Sequence, residues 1–139
     1  MKKYKIGYTT GVFDMFHIGH LNIIRRAKEH CEFLIVGVST DEVVNEYKHH
    51  LPVIPYEQRS AIVAACRYVD RVVPQISMDK FAAWEELKFD VMFHGSEWQG
   101  TELYNEYERR FGEVGVKVVY LPHTDGISST MLRERNGKE

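Results

Sequence analysis

Two histidines stand three residues apart in a short glycine-punctuated stretch, Gly11-Val12-Phe13-Asp14-Met15-Phe16-His17-Ile18-Gly19-His20. Residues at that spacing share one face of a helix, so His17 and His20 can direct both imidazoles at a single group. Gly11 and Gly19 allow backbone amides a close approach, and a helix N-terminus presents N–H groups and the positive end of its dipole to an anion. A second stretch near the end of the chain repeats this supply of donors. There Gly126 permits a tight turn, and Ser128, Ser129 and Thr130 bring hydroxyls and amides to the start of another helix-like segment. Phosphate is the ligand these donors suit. Zinc is the other chemistry of an HxxH pair, but it needs a third and often a fourth ligand at suitable spacing, so no protein-held metal is assigned. Neither GxxxxGK[ST] nor GxGxxG occurs, which excludes the common nucleotide and dinucleotide loops.

The elements that must position these residues follow from hydrophobic periodicity. Residues 4–9 read as a strand, 18–30 as a helix with apolar Ile18, Leu21, Ile24 and Ala27, and 33–38 (FLIVGV) as a strand covered on both faces. Ser39 and Glu42 have the spacing of a capping box opening a second helix. Helix, strand and helix are expected at 56–68, 69–73 and 79–88, then a strand at 90–93, a helix at 101–111, a strand at 116–121 and a final helix at 128–135. Strands alternating with helices imply a parallel sheet with right-handed crossovers, whose ligands bind beyond the carboxyl ends of the strands. The fold class is therefore α/β, a Rossmann-like three-layer α/β/α arrangement on a five-stranded parallel sheet. The loops to watch are the opening stretch, His94 to Trp98 (HGSEW) and Pro122 to Thr130 (PHTDGISST).

With 139 residues, 44% of them hydrophobic and 27% charged, the chain is read as one domain, 1–139. A formal net charge of −2 without a lysine or arginine block argues against a nucleic acid polymer as partner. No apolar run approaches a membrane span, and Cys31 and Cys66 lack CxxC spacing, so a cytoplasmic location and buried thiols are expected.

Gly11-Val-Phe-Asp14 with His17-Ile-Gly-His20 resembles the HxGH signature of the nucleotidyltransferase superfamily, and Gly126 to Thr130 (GISST) resembles its second signature. STDE at Ser39 to Glu42, the Tyr56-to-Arg59 segment, RYVD at Arg67 to Asp70 and Val118 to Thr130 are similar to the cytidylyltransferases, most narrowly those acting on glycerol 3-phosphate. The resemblance spans nearly the whole chain. It implies transfer of CMP from CTP, with Mg²⁺ accompanying the triphosphate, to a small phosphorylated alcohol, sn-glycerol 3-phosphate being favoured. The products are then pyrophosphate and a CDP-alcohol for a wall or capsule polymer. It further implies catalytic roles for His17, His20 and Lys48, and a nucleotide site built from Gly11, Val12, Phe13, Asp14, Gly19, Arg67, Glu97, Trp98, His123, Thr124, Gly126, Ile127, Ser128, Ser129 and Thr130. Lys48 and Lys80 would meet the second substrate, and a homodimer would form, with RYVD a candidate contact.

Several of these residues have plainer readings. Lys48 suits a solvated loop cation, Arg67 a helix C-terminal charge and Trp98 a core position or a substrate wall. Two departures from the family pattern stand out. His123 replaces an arginine, a titratable cation for a permanent one, and GSEW replaces Gly-Asp-Asp-Trp near the expected base. Two alternatives stay open at this stage: an adenylyltransferase using ATP and a sugar phosphate, and a non-catalytic nucleotide-binding regulatory module.

Overall fold

The computed structural model describes residues 3–122. Five parallel strands, β1 (Tyr4–Gly11), β2 (Cys31–Ser39), β3 (Arg71–Gln75), β4 (Val91–Gly95) and β5 (Lys117–Leu121), form one sheet in the order β3-β2-β1-β4-β5. Five α-helices are interleaved: α1 (Ile18–His30), α2 (Asp41–Lys48), α3 (Tyr56–Ala64), α4 (Lys80–Leu87) and α5 (Glu102–Glu113). The strand order reverses at β1 and β4, and such a switch point opens a crevice at the carboxyl edge of a parallel sheet.

Alternation along each strand splits the core into two layers. Leu34, Val36 and Val38 of β2 and Val91 and Phe93 of β4 pack with Ile24 and Ala27 of α1 and Val63 of α3. Ile35, Met92 and Tyr8 point the other way, onto Phe81 and Trp84 of α4 and Tyr104, Tyr107 and Phe111 of α5. The sheet therefore has a face under α1 and α3 and a face under α4 and α5. This is the three-layer α/β/α fold expected from the sequence.

Local differences have physical causes. The helix expected over 56–68 ends at Ala64, and the next strand runs Arg71–Gln75 rather than 69–73. Asp70 holds that junction: its carboxylate accepts from the Leu34 amide at 2.7 Å and from Lys28 Nζ at 2.5 Å. Pro74 falls inside β3, tolerable because β3 is an edge strand. The Ser39–Glu42 capping box does not form. Ser39 ends β2, and Thr40 caps α2 by accepting from the Val43 amide at 3.3 Å. The helix expected at 128–135 lies outside the described residues.

Candidate active site

His17 is the N-cap of α1, with extended backbone, and its Nδ1 accepts from the Gly19 amide at 3.1 Å. His20 Nδ1 accepts from the His17 amide at 3.2 Å. The HxxH pair is thus a capping box built from imidazoles, each satisfying an amide that the first helical turn leaves without an intrahelical partner. The rings stack with centroids 3.8 Å apart. Because each Nδ1 accepts, each neutral ring carries its proton on Nε2 and donates through that atom. His20 is also wedged against Phe13 and Phe16, at 5.4 Å from each ring. Burial, and next the charge of His17, push the His20 imidazole down to about 3 against a partial upward pull from Asp14, so it is neutral at pH 7. The pair therefore meets an anion as N–H donors at the start of α1, without a standing charge at His20.

The loop ahead of α1 is held by unusual backbone. Phe13 and Met15 both have positive φ, 54° and 48°, although neither is glycine. Such residues cost on the order of 1–3 kcal/mol each and persist only where the surroundings fix them. The Phe13 ring covers Gly11, where a Cβ would sit 3.2 Å from it. A side chain at Gly11 would therefore crowd the Phe13 ring. Between the two strained residues, buried Asp14 accepts from the amides of Val53 and Ile54 at 2.8 and 2.9 Å. These contacts make Asp14 the clamp that fastens the 51–55 loop over β1.

The same clamp depends on Arg59, which sequence reasoning did not single out. Its guanidinium is fully buried and donates to the carbonyls of Ile54 (2.8 Å), Val12 (2.7 Å) and Ser39 (2.8 Å) and to the Asp41 carboxylate (2.6 Å). One side chain joins the loops after β1 and β2 to the start of α3. The missing signal is physical, since arginine is among the residues least often buried unless paired.

The remaining expected site residues divide. Lys48 is the exposed last residue of α2, its Nζ 5.7 Å from the Tyr47 ring, and the chain after it returns to the Asp14 clamp. Lys80 opens α4, is only 6% exposed, and has its ammonium disfavoured by burial with partial relief from Asp79. Trp98, 40% exposed, lies 5.6 Å edge-on to His94 and 5.4 Å from Tyr104, in a short 3-10 turn (Ser96–Trp98) after β4. Exposed Glu97 folds back over Gly95, where a Cβ would collide with its carboxylate. Arg67 is the residue the structure does not bring in. It follows α3, about 13 Å of helix away from the carboxyl edge, and sits exposed with its guanidinium 5.0 Å over Tyr68. Within one chain Arg67 belongs to the amino side of the sheet, which corrects its placement among nucleotide contacts. His123, Thr124, Gly126, Ile127, Ser128, Ser129 and Thr130 lie outside the described residues. Pro122, just before them, receives a hydrogen bond from Arg26 of α1 at 3.0 Å.

No cluster of three or more His, Cys, Asp or Glu suited to a metal ion occurs among the described residues. The arrangement offers paired imidazole N–H groups, helix-start amides, a buried lysine and a reversed strand order at one sheet edge. That set suits the handling of phosphates by positioning and hydrogen bonding.

A family model described as cytidylyltransferase-like matches residues 8–135. The chain is 37% identical over 127 residues to the glycerol-3-phosphate cytidylyltransferase of Staphylococcus aureus, covering 91% of this chain and 90% of that protein. It is 36% identical over 133 residues to the Bacillus subtilis protein of the same name, covering 91% and 92%. Among solved structures, a lipopolysaccharide core biosynthesis protein from Thermoplasma volcanium superposes with a TM-score of 0.76 at 25% identity, covering 88% of this chain and 99% of that one.

Proposed function

The chain belongs to the cytidylyltransferase-like family, and from that premise we propose that it transfers CMP from CTP to sn-glycerol 3-phosphate, forming CDP-glycerol and pyrophosphate. Similarity to two glycerol-3-phosphate cytidylyltransferases over nine-tenths of their length supports this reading and does not favour ATP with a sugar phosphate, or a module without turnover. The observation that carries it is the imidazole capping box at the start of α1, whose two stacked rings each use Nδ1 for the cap and hold the ring proton on Nε2 beside the helix N-terminus.

A phosphate monoester oxygen attacks the α-phosphorus of CTP, the bond from that phosphorus to the bridging oxygen breaks, and the electron pair leaves with pyrophosphate. The acceptor is already mostly dianionic at neutral pH, its second pKa being about 6, so no protein base has to activate it. The obstacle is repulsion between anions and charge growing on the oxygens around phosphorus. His17 and His20 donate to those oxygens, and the α1 amides add the helix-end field. Lys80 and Lys48 serve the acceptor phosphate. Asp14 and Arg59 hold the loop that carries these donors. Mg²⁺ would accompany the triphosphate and, when bound, would offset phosphate charge.

The enzyme is further read as a cytoplasmic homodimer supplying a CDP-alcohol for a wall or capsule polymer. In support, no helix among the described residues is long and apolar enough to cross a membrane, Cys31 and Cys66 form no disulfide among the described residues, and Ile62, Leu51 and Val53 are exposed apolar residues. Arg67 and Tyr68 belong with that dimer contact. The deciding experiment measures pyrophosphate release with CTP or ATP, each against glycerol 3-phosphate, other phosphorylated alcohols and sugar phosphates, in Mg²⁺. CTP with glycerol 3-phosphate should be the best pair, and a preference for ATP would overturn the reading; light scattering reports the dimer.

A further inference from the structure

Three polar groups that the clamp and the histidine pair do not use meet at the switch point, on the face under α4 and α5. Thr9 of β1 pairs with Phe93 of β4, so Thr10 and His94 stand side by side one residue further along each strand. Tyr8 and Met92, two residues before them, both pack into the core under α4 and α5, and alternation sends Thr10 and His94 to that same face. Lys80 begins α4 there. Its amide donates to the Tyr107 hydroxyl at 3.2 Å, Tyr107 packs 5.4 Å from Tyr104, and Tyr104 packs 4.9 Å edge-on to His94.

Each group has unused capacity to bind. Thr10 Oγ1 is buried and makes no hydrogen bond of good geometry among the described residues; its polar neighbour is the Tyr8 hydroxyl on the same strand face, which gives its own proton to Gln75. A buried polar atom left so costs on the order of 1–3 kcal/mol and marks a place where something else binds. Lys80 makes no ion pair among the described residues although it is buried. His94 Nδ1 accepts from the Gly95 amide at 2.9 Å, which puts its ring proton on Nε2. Burial first, then the Lys80 ammonium, push the His94 imidazole down to about 4, so it is a neutral donor. A hydroxyl, an ammonium and an imidazole N–H stand on one face at the carboxyl ends of β1 and β4 and the start of α4, with Asp79 beside Lys80 and Glu97 folded over Gly95 as the neighbouring carboxylates, and the three donors together suit an anion with several oxygens.

We infer that Thr10 and His94, with Lys80, form the subsite that grips the phosphate of the acceptor alcohol, and that both are substrate-contacting residues. The inference rests on the cytidylyltransferase reading. In-line displacement requires the attacking oxygen and the departing pyrophosphate on opposite sides of the α-phosphorus. His17 and His20 open the helix on one face of the sheet, and Thr10, Lys80 and His94 lie under the other, so a nucleotide at the crevice has its acceptor across from the histidine pair. His94 also touches Trp98, which places an aromatic wall beside the alcohol end.

The test compares wild type with Thr10→Val, His94→Leu and His94→Gln, the last keeping an N–H donor. Thr10→Val and His94→Leu should raise KM for glycerol 3-phosphate about ten- to a hundredfold, the worth of a hydrogen bond to a charged group, with KM for CTP within twofold. His94→Gln should recover most of the loss. Inorganic phosphate added to the wild-type protein should shift the His94 imidazole resonances in ¹H–¹⁵N spectra and should not in Lys80→Met. Unchanged acceptor KM in folded Thr10→Val and His94→Leu overturns the inference, as does a rise confined to CTP, which would assign the site to the nucleotide. Should wild type transfer no CMP to any phosphorylated alcohol, the functional reading fails instead, and the phosphate titration alone then decides whether the anion site exists.

Discussion

Replacing Arg59 tests whether one buried side chain holds the site loops together. Arg59→Met keeps the aliphatic volume and removes four donors at once. Asp41 is about one-third exposed and can turn to water, and Ile54 lies in a surface loop. The carbonyls of Val12 and Ser39 are the groups left desolvated, at about 1–3 kcal/mol each. Losing one partner of a buried ion pair costs about 3–5 kcal/mol, in line with that sum. The expected loss is therefore about 4 kcal/mol, a large part of the roughly 5–15 kcal/mol that holds a domain folded. For a chain of this size it lowers Tm by about 15 °C. Arg59→Lys, with one nitrogen in place of a planar fork, should recover about half. Urea unfolding followed by circular dichroism measures both, as a shift in midpoint at constant slope. Well below its Tm, Arg59→Met should still turn over slowly, because the Asp14 clamp loses its support at Val12 and Ile54. A folded Arg59→Met within 1 kcal/mol of wild type would refute the reasoning.

Other predictions separate the roles assigned above. His17→Asn should keep the helix cap through its side-chain oxygen, leaving stability within about 0.5 kcal/mol, and should lower kcat by about 10²–10³ because the second imidazole donor is gone; equal turnover would remove His17 from catalysis. His20, held near 3, and His94, near 4, stay neutral in the folded protein down to those values, whereas in the unfolded chain they take up protons below about 6.5. The unfolded state thus binds more protons between those limits, so stability is full above pH 6.5 and falls as pH drops toward 3. Unfolding free energies at pH 7 and 4.5 should show that decline, and His94→Gln should flatten it; an unchanged slope would mean that His94 is not buried neutral. His123, expected where related chains place an arginine on the triphosphate, should make nucleotide affinity weaken from about pH 6 to 8, and His123→Arg should level the profile. Parallel profiles would end that assignment.

How much of this was legible beforehand follows from what kind of information each feature needs. The five strands and their helices are written in local periodicity, because a strand covered on both faces must be continuously apolar, as FLIVGV is, and an amphipathic helix must repeat at 3.6. The HxxH pair and its place at a helix start were equally local. What the sequence could not show was that the three-residue spacing also closes a capping box, so that cap geometry decides which ring nitrogen holds the proton. Element ends were misjudged where a tertiary contact sets them: Asp70 reaches back to Leu34 and Lys28 to delay β3, and Thr40 displaces Ser39 as the cap. Arg67 looked like a site residue because RYVD is a recognisable string, but α3 carries it to the amino side of the sheet. His94 and Arg59 fell within stretches the sequence picks out but had no individual role there, and Thr10 carried no signal. Their importance comes from burial and from partners 5 to 47 residues away or on a neighbouring strand, and only the packed sheet, which reverses its order at β1 and β4, brings such groups together.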